Sequence, residues 1–147
     1  MPQGPTTLCA IVSSGAAVCG FDTVQRKGAM AHFCLPYRGK DGSSTALYAG
    51  PAIVGLIRML QQNGSQLEDL EIFMAGGAVN ERAEGFVKGL SENNIKVGLE
   101  ILGKLGLAKV SMDTGGTKGR KVIFNTGSGK IALQKVESLR SSDWYPC

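Results

Sequence analysis

The sequence predicts an α+β fold, and three observations support this prediction. Short β-favouring segments cluster towards both ends of the chain, and two amphipathic helical segments lie between them. The 21 glycines supply the tight turns that short strands require. The predicted order is three strands, a helix, a strand, a helix and three strands. We expect a single domain over residues 1–147, with a core at 7–136 and a tail at 137–147.

The first three strands are indicated by β-favouring, largely apolar runs. Residues 7–12 and 16–21 flank the sequence Ser-Ser-Gly at residues 13–15, which predicts a turn. A third strand is expected at residues 28–35, where a proline closes it. The polar, glycine-containing segment 37–44 predicts a loop.

Two segments have the apolar spacing of amphipathic helices. Residues 46–62 place their apolar side chains on one face, with a proline in the first turn, where proline is tolerated. Gly64 is expected to end this helix. Residues 95–105 repeat the apolar spacing, and Asn93 or Asn94 is the expected N-cap.

The remaining strands follow from short apolar runs between turn residues. They are expected at residues 70–75, 108–112, 121–125 and 130–136. Residues 126–129, with the sequence Thr-Gly-Ser-Gly, predict a hairpin turn between the last two strands. Residues 80–89 predict a loop or a short helical turn, and residues 141–147 predict a loose tail.

Composition excludes several classes of protein. No segment reaches the roughly 18 apolar residues needed to cross a bilayer, and the N-terminus has no secretory signal pattern. We therefore expect a cytoplasmic protein that is not inserted in a membrane. The chain has one histidine, no CxxC pair, no Walker loop, no dinucleotide-binding fingerprint and no HExxH motif. We accordingly expect no metal and no cofactor.

The net charge of +4 is concentrated in the C-terminal half. Residues 96–140 carry nine lysines and arginines against three acidic residues, and Lys118, Arg120 and Lys121 form the densest group. Such a group is either a solvated face or a contact for an acidic partner. We expect no nucleic acid as partner, because the interleaved aromatic and basic residues of an RNA-recognition motif are missing.

His32 is the one histidine and lies among small residues in the third predicted strand. A histidine in an apolar strand is either a hydrogen-bonded structural residue or a catalytic base with a nucleophile in reach. A base here would suit amide hydrolysis through a thioester, in which a thiolate attacks a carboxamide carbon. Backbone N–H groups at a glycine-rich turn, such as residues 13–15, would stabilise the oxyanion.

Three motifs carry a resemblance to a known family. GAMAHFCLP at residues 28–36, AGGA at 75–78 and DTGGTKGRKVIFNT at 113–126 resemble the CheD family of chemotaxis receptor-modifying glutamine deamidases. The resemblance implies mixed β-sheets stacked in a sandwich with two main helices, the cysteine-hydrolase fold of cytotoxic necrotizing factor. It also implies a role in chemotaxis, with the cytoplasmic helices of chemoreceptors and a CheC-like phosphatase as partners.

The resemblance assigns roles by position. His32 falls on the family's catalytic histidine, Gly15 on its nucleophilic cysteine, Ser14 on the serine before it and Cys9 on an assisting threonine. Because glycine has no side chain, we expect deamidase activity to be lost or weakened, which leaves a protein that acts by binding. The alternative is an active protein-glutamine glutaminase that uses Ser14, Cys9 or Cys19 with His32.

Overall fold

A computed structural model describes residues 1–37 and 45–137. Its elements are β1 (Thr7–Val12), β2 (Ala16–Asp22), β3 (Lys27–Phe33), α1 (Ala49–Gln62), a 3-10 helix (Leu67–Asp69), β4 (Leu70–Gly76), α2 (Leu90–Lys104), β5 (Val110–Thr114), β6 (Gly119–Asn125) and β7 (Ile131–Val136). The order of strands and main helices is the predicted one. The expected tail at 141–147 and most of the expected loop at 37–44 lie outside the described residues.

The seven strands form two sheets that face each other. One sheet has the order β1-β6-β7 and is antiparallel throughout. The other has the order β3-β2-β4-β5, and it is mixed because β4 and β5 run parallel. The sandwich of sheets with two helices that the family resemblance implies is therefore confirmed.

Strand β2 lies at the centre of the molecule, and all seven of its residues are buried. One face packs against the helices, so Val18 belongs to the same apolar cluster as Ile53 of α1. The other face packs against the antiparallel sheet, so Cys19 belongs to a second cluster with Phe124 of β6. Both faces of a strand are rarely apolar unless both are covered, which explains the continuous apolar run from residue 16 to 21.

The N-terminus of α2 differs from the prediction. The helix begins at Leu90, five residues before the expected start, and follows Gly89 in the left-handed conformation with φ of 81°. Asn94 lies inside the helix and is wholly buried, so it is not the N-cap. The asparagine-rich first turns of α2 look like a helix boundary in sequence, but tertiary contacts make them helical.

Two smaller differences follow from strand pairing. Strand β5 begins at Val110 rather than at residue 108, because its parallel register with β4 pairs Ile72 with Val110. Strand β6 begins at Gly119 rather than at residue 121, because Arg120 pairs with Val12 at the end of β1. Pairing of this kind depends on the partner strand, which local sequence does not report.

The hairpin between β2 and β3 is held by a buried carboxylate. Oδ1 of Asp22 accepts hydrogen bonds from the backbone N–H groups of Val24, at 2.9 Å, and Gln25, at 2.8 Å. Burial alone would raise the pKa of Asp22, but the nearby Ser65 hydroxyl, the hydrogen bonds from the backbone N–H groups of Gln25 and Val24 and the charge of Lys27 outweigh burial and lower it. The ionised form of Asp22 is therefore the one that the fold stabilises.

We expect Asp22→Asn to change how stability depends on pH. Because the folded-state pKa of Asp22 lies below the unfolded value of about 3.9, its contribution is fully present above that pH and is lost as the pH falls through the folded-state pKa. Urea unfolding at several pH values should show a wild-type advantage that shrinks below about pH 4. The exposed control Glu81→Gln should show little effect at neutral pH; an equally large loss there would contradict the prediction.

Candidate functional site

The turn between β1 and β2 is held by the two residues that follow β4, Gly77 and Ala78. The N–H of Gly77 donates to the carbonyl oxygen of Gly15 at 2.9 Å, and the N–H of Ala78 donates to that of Ser13 at 2.8 Å. Gly76 has φ of 134°, and a β-carbon there would overlap the Gly15 oxygen. The AGGA motif is thus required for close backbone contact with the turn.

Gly15 is buried, and its surroundings leave no room for a side chain. A β-carbon at Gly15 would overlap the carbonyl oxygen of Phe33 and lie 3.2 Å from the α-carbon of Cys34. Both are backbone atoms of the β3 end, so neither can rotate away. The position at which the family resemblance implies a nucleophilic cysteine is therefore closed by the main chain as well as lacking the sulfur.

Asn94 joins the turn to the end of β3, a role that the sequence did not indicate. Its side-chain amide donates to the carbonyl oxygens of Ser14, at 2.9 Å, and Cys34, at 3.0 Å. The side chain is wholly buried, and its Oδ1 has no hydrogen-bond partner among the described residues. Helix α2 therefore fixes the two segments between which Gly15 lies.

The predicted basic group of Lys118, Arg120 and Lys121 is not a single exposed cluster, because Arg120 is buried. Its side chain is only 3% exposed and forms an ion pair with Asp113 at 3.1 Å. Its guanidinium also donates to the carbonyl oxygens of Gly115, at 2.6 Å, and Lys118, at 2.9 Å. Lys118 is exposed and pairs with Glu137 at 3.0 Å. The three basic residues consequently do not form one surface, and Arg120 instead holds the loop before β6.

His32 lies near the end of β3, opposite Ala17 of β2, and is half-buried. Burial lowers its pKa, because a less hydrated site disfavours the charged ring. The neutral imidazole that this favours at neutral pH can accept a proton. His32 also lines a cavity of about 150 Å³ together with Cys9, whose thiol is free and exposed. The structure thus brings two of the candidate residues together.

Ser14 and Cys19 line other cavities. Ser14 lines a groove of about 640 Å³ beside the turn, together with Phe86 and Val87. Cys19 is buried between the sheets, and desolvation raises its pKa to about 12. A thiol in that environment stays protonated and is a poor nucleophile.

Two wider properties of the described residues bear on function. Within residues 1–37 and 45–137, no three His, Cys, Asp or Glu side chains are grouped so that they could hold a metal ion. In the same part of the chain, no helix combines the length and the apolar character needed to cross a membrane.

The family and the known proteins to which this chain is similar all carry the name CheD. A family described as "CheD chemotactic sensory transduction" matches residues 34–135. "Chemoreceptor glutamine deamidase CheD" of Thermotoga maritima is 34% identical over 125 residues, covering 85% of this chain and 78% of that protein. "Probable chemoreceptor glutamine deamidase CheD" of Sulfurimonas denitrificans is 32% identical over 136 residues, covering 90% and 86%. A protein of the same name from Methanococcus vannielii is 29% identical over 140 residues, covering 95% and 91%.

The protein therefore belongs to the CheD family of chemotaxis proteins, as its motifs predict. The family match begins at residue 34, after the turn and after His32. The roles of Gly15, Ser14, Cys9 and His32 accordingly stay predictions.

We expect Gly15→Ala to destabilise the protein. The added β-carbon meets backbone atoms that have to shift, and overpacking of this kind costs about 1–3 kcal/mol. The matched control is Gly55→Ala in α1, where a β-carbon meets nothing within 4 Å and should stabilise the helix by about 0.5–1 kcal/mol. Denaturant unfolding of both variants measures the difference. Equal stabilities for the two variants would refute the crowding at Gly15.

We expect Asn94→Ala to lower stability by about 1–3 kcal/mol, because the carbonyl oxygens of Ser14 and Cys34 lose a buried donor. Asn93→Ala is the natural control, since Asn93 is the exposed neighbour on the same helix. Thermal unfolding should separate the two variants. Similar melting temperatures would mean that the Asn94 hydrogen bonds contribute little.

Proposed function

We propose that this protein acts in chemotaxis by binding the glutamine-bearing cytoplasmic helices of a chemoreceptor, with its deamidase activity lost or weakened. A CheC-like phosphatase is the second proposed partner, and the cytoplasm is the proposed location. The similar proteins are named as chemoreceptor glutamine deamidases, which supports a chemoreceptor as the binding partner. The observation that supports the loss of activity is that Gly15 has no side chain and that backbone atoms of Phe33 and Cys34 leave no room for one.

The expected effect on catalysis is large. In an enzyme whose catalytic groups act as a unit, removing the nucleophile lowers kcat by about a million-fold. Here the nucleophile is absent from the chain at that position, and the Phe33 carbonyl occupies the space where it would begin. Binding is affected far less, because contacts to a partner are spread over a surface and do not need the reacting group.

The groove beside the turn is the proposed docking surface for the receptor helix. Its walls include Ser14 from the turn and Phe86 and Val87 from the loop before α2. Phe86 is 38% exposed and Val87 57% exposed, so this wall offers apolar side chains to a partner. An amphipathic helix places apolar residues on one face and can pack them into such a groove.

We expect Val87→Asp to weaken binding of a glutamine-bearing receptor fragment by about tenfold or more, because a charge replaces an apolar contact, and tenfold corresponds to about 1.4 kcal/mol. The matched control is Val24→Asp, since Val24 is 68% exposed and lies in the turn at the far end of β2. Fluorescence anisotropy with a labelled fragment measures both affinities. Equal losses would argue against the groove, and absence of binding by the wild-type protein would refute the proposal.

The alternative function is an active glutamine deamidase with a displaced nucleophile. Among the three candidates, Cys19 is buried with a raised pKa and Ser14 lines a separate groove. Cys9 is the candidate that lines a cavity with His32. Binding of nucleic acid is a further alternative, which a salt-sensitive mobility shift would reveal; the inward orientation of Arg120 argues against it.

A further inference from the structure

A cleft of about 560 Å³ lies between the two sheets and is lined in part by β5 and β7, each an edge strand of its sheet. The wall on the mixed sheet follows from the strand register and consists of two rows of three residues. The first row is Phe21, Glu71 and Lys109, and the second is Cys19, Phe73 and Ser111. The facing wall includes the cross-strand pair of Phe124 and Ile131.

The cleft is apolar at its buried end and charged at its mouth. Phe21 and Phe124 are buried, and they belong to the apolar cluster between the sheets. Glu71, Lys109 and Ser111 are exposed to solvent. A small molecule that fills the cleft therefore needs an apolar body directed inwards and a polar head at the mouth.

Glu71 and Lys109 place opposite charges side by side at the mouth. Ile72 pairs with Val110 in the parallel register, so the residues one position earlier on each chain segment are lateral neighbours. Neither Glu71 nor Lys109 takes part in an ion pair in the part of the chain that the structure describes. Ser111 lies one row further into the sheet and adds a hydroxyl.

We propose that this cleft binds a free α-amino acid with an aromatic side chain. Glu71 accepts hydrogen bonds from the ammonium group of the ligand, and Lys109 and Ser111 donate to its carboxylate. The aromatic ring packs against Phe73 and Phe124, because aromatic pairs gain energy beyond the area they bury. A residue within a polypeptide has neither charge on its α-carbon, so the charged mouth selects the free amino acid.

The size of the cleft suits this class of ligand. Pockets that enclose small molecules measure about 300–1,000 Å³, and this cleft measures about 560 Å³. The cleft shares no lining residue with the groove beside the turn. Binding here is therefore separate from the proposed docking of a receptor helix, and either proposal can fail while the other stands.

An NMR titration of the backbone amide signals of the wild-type protein tests the site and the ligand class together. The probes are phenylalanine, phenylethylamine without the carboxylate, phenylpropionate without the ammonium group, and alanine without the ring. Phenylalanine should bind saturably and shift the signals of Phe73, Ser111 and Ile131. The two analogues with a single charge should bind about three- to tenfold more weakly, because each loses one charged contact. Alanine should bind more weakly still, because it lacks the ring.

Two charge variants assign each end of the ligand. Glu71→Gln should lower the affinity for phenylalanine and phenylethylamine by about three- to tenfold and leave that for phenylpropionate unchanged. Lys109→Gln should lower the affinity for phenylalanine and phenylpropionate by a similar factor and leave that for phenylethylamine unchanged. The matched controls Glu92→Gln and Lys96→Gln remove exposed charges on α2 and should bind every probe as the wild type does. Thermal unfolding checks that each variant keeps the fold.

Saturable binding of phenylalanine with this crossed pattern of losses supports the proposal. Lack of saturation by phenylalanine up to about 10 mM overturns it. Equal affinities for the three ring-bearing probes, or for alanine and phenylalanine, also overturn it. Equal losses in the α2 controls, or signal shifts confined to residues away from the cleft, have the same consequence, because the amino acid then binds elsewhere.

Discussion

The close approach of three backbone segments around Gly15 is the constraint on which the rest of the site depends. The carbonyl oxygen of Phe33 occupies the place of a β-carbon on Gly15, and the Gly15 oxygen occupies the place of one on Gly76. Main-chain atoms cannot move aside as a flexible side chain can, so a side chain at either position would force the backbone to shift, and the positive φ of Gly76 adds strain there. The turn is therefore fixed in position but presents no side chain at its centre. Any chemistry at this site has to come from residues that flank it.

Buried polar side chains maintain that arrangement. Arg120 donates to backbone oxygens before β6 and pairs with Asp113, and Asn94 donates to the turn and to the end of β3. Removing either donor leaves buried acceptors without a partner, which costs more than the net gain of an ordinary hydrogen bond. The AGGA and GGTKGR motifs thus serve the scaffold. They identify the CheD family even though a glycine stands where the family resemblance implies a nucleophile.

The environment of each sulfur decides what it can do. Cys19 packs between the sheets, where desolvation raises its pKa to about 12 and keeps it protonated. Cys9 is exposed at the edge of the sandwich and shares a small cavity with His32. The groove beside the turn and the cavity that Cys9 lines are separate.

The sequence alone determined the order of the elements, the family and the absence of a side chain at Gly15, because periodicity, turn residues and covalent structure are local properties. Only the tertiary structure decided where α2 begins, since Asn94 reads as a cap until its buried contacts with the turn are known. Tertiary structure also decided that Arg120 points inwards and that Cys9, rather than Ser14 or Cys19, lines a cavity together with His32. Burial and long-range pairing depend on the stacking of sheets and helices, which no short stretch of sequence encodes.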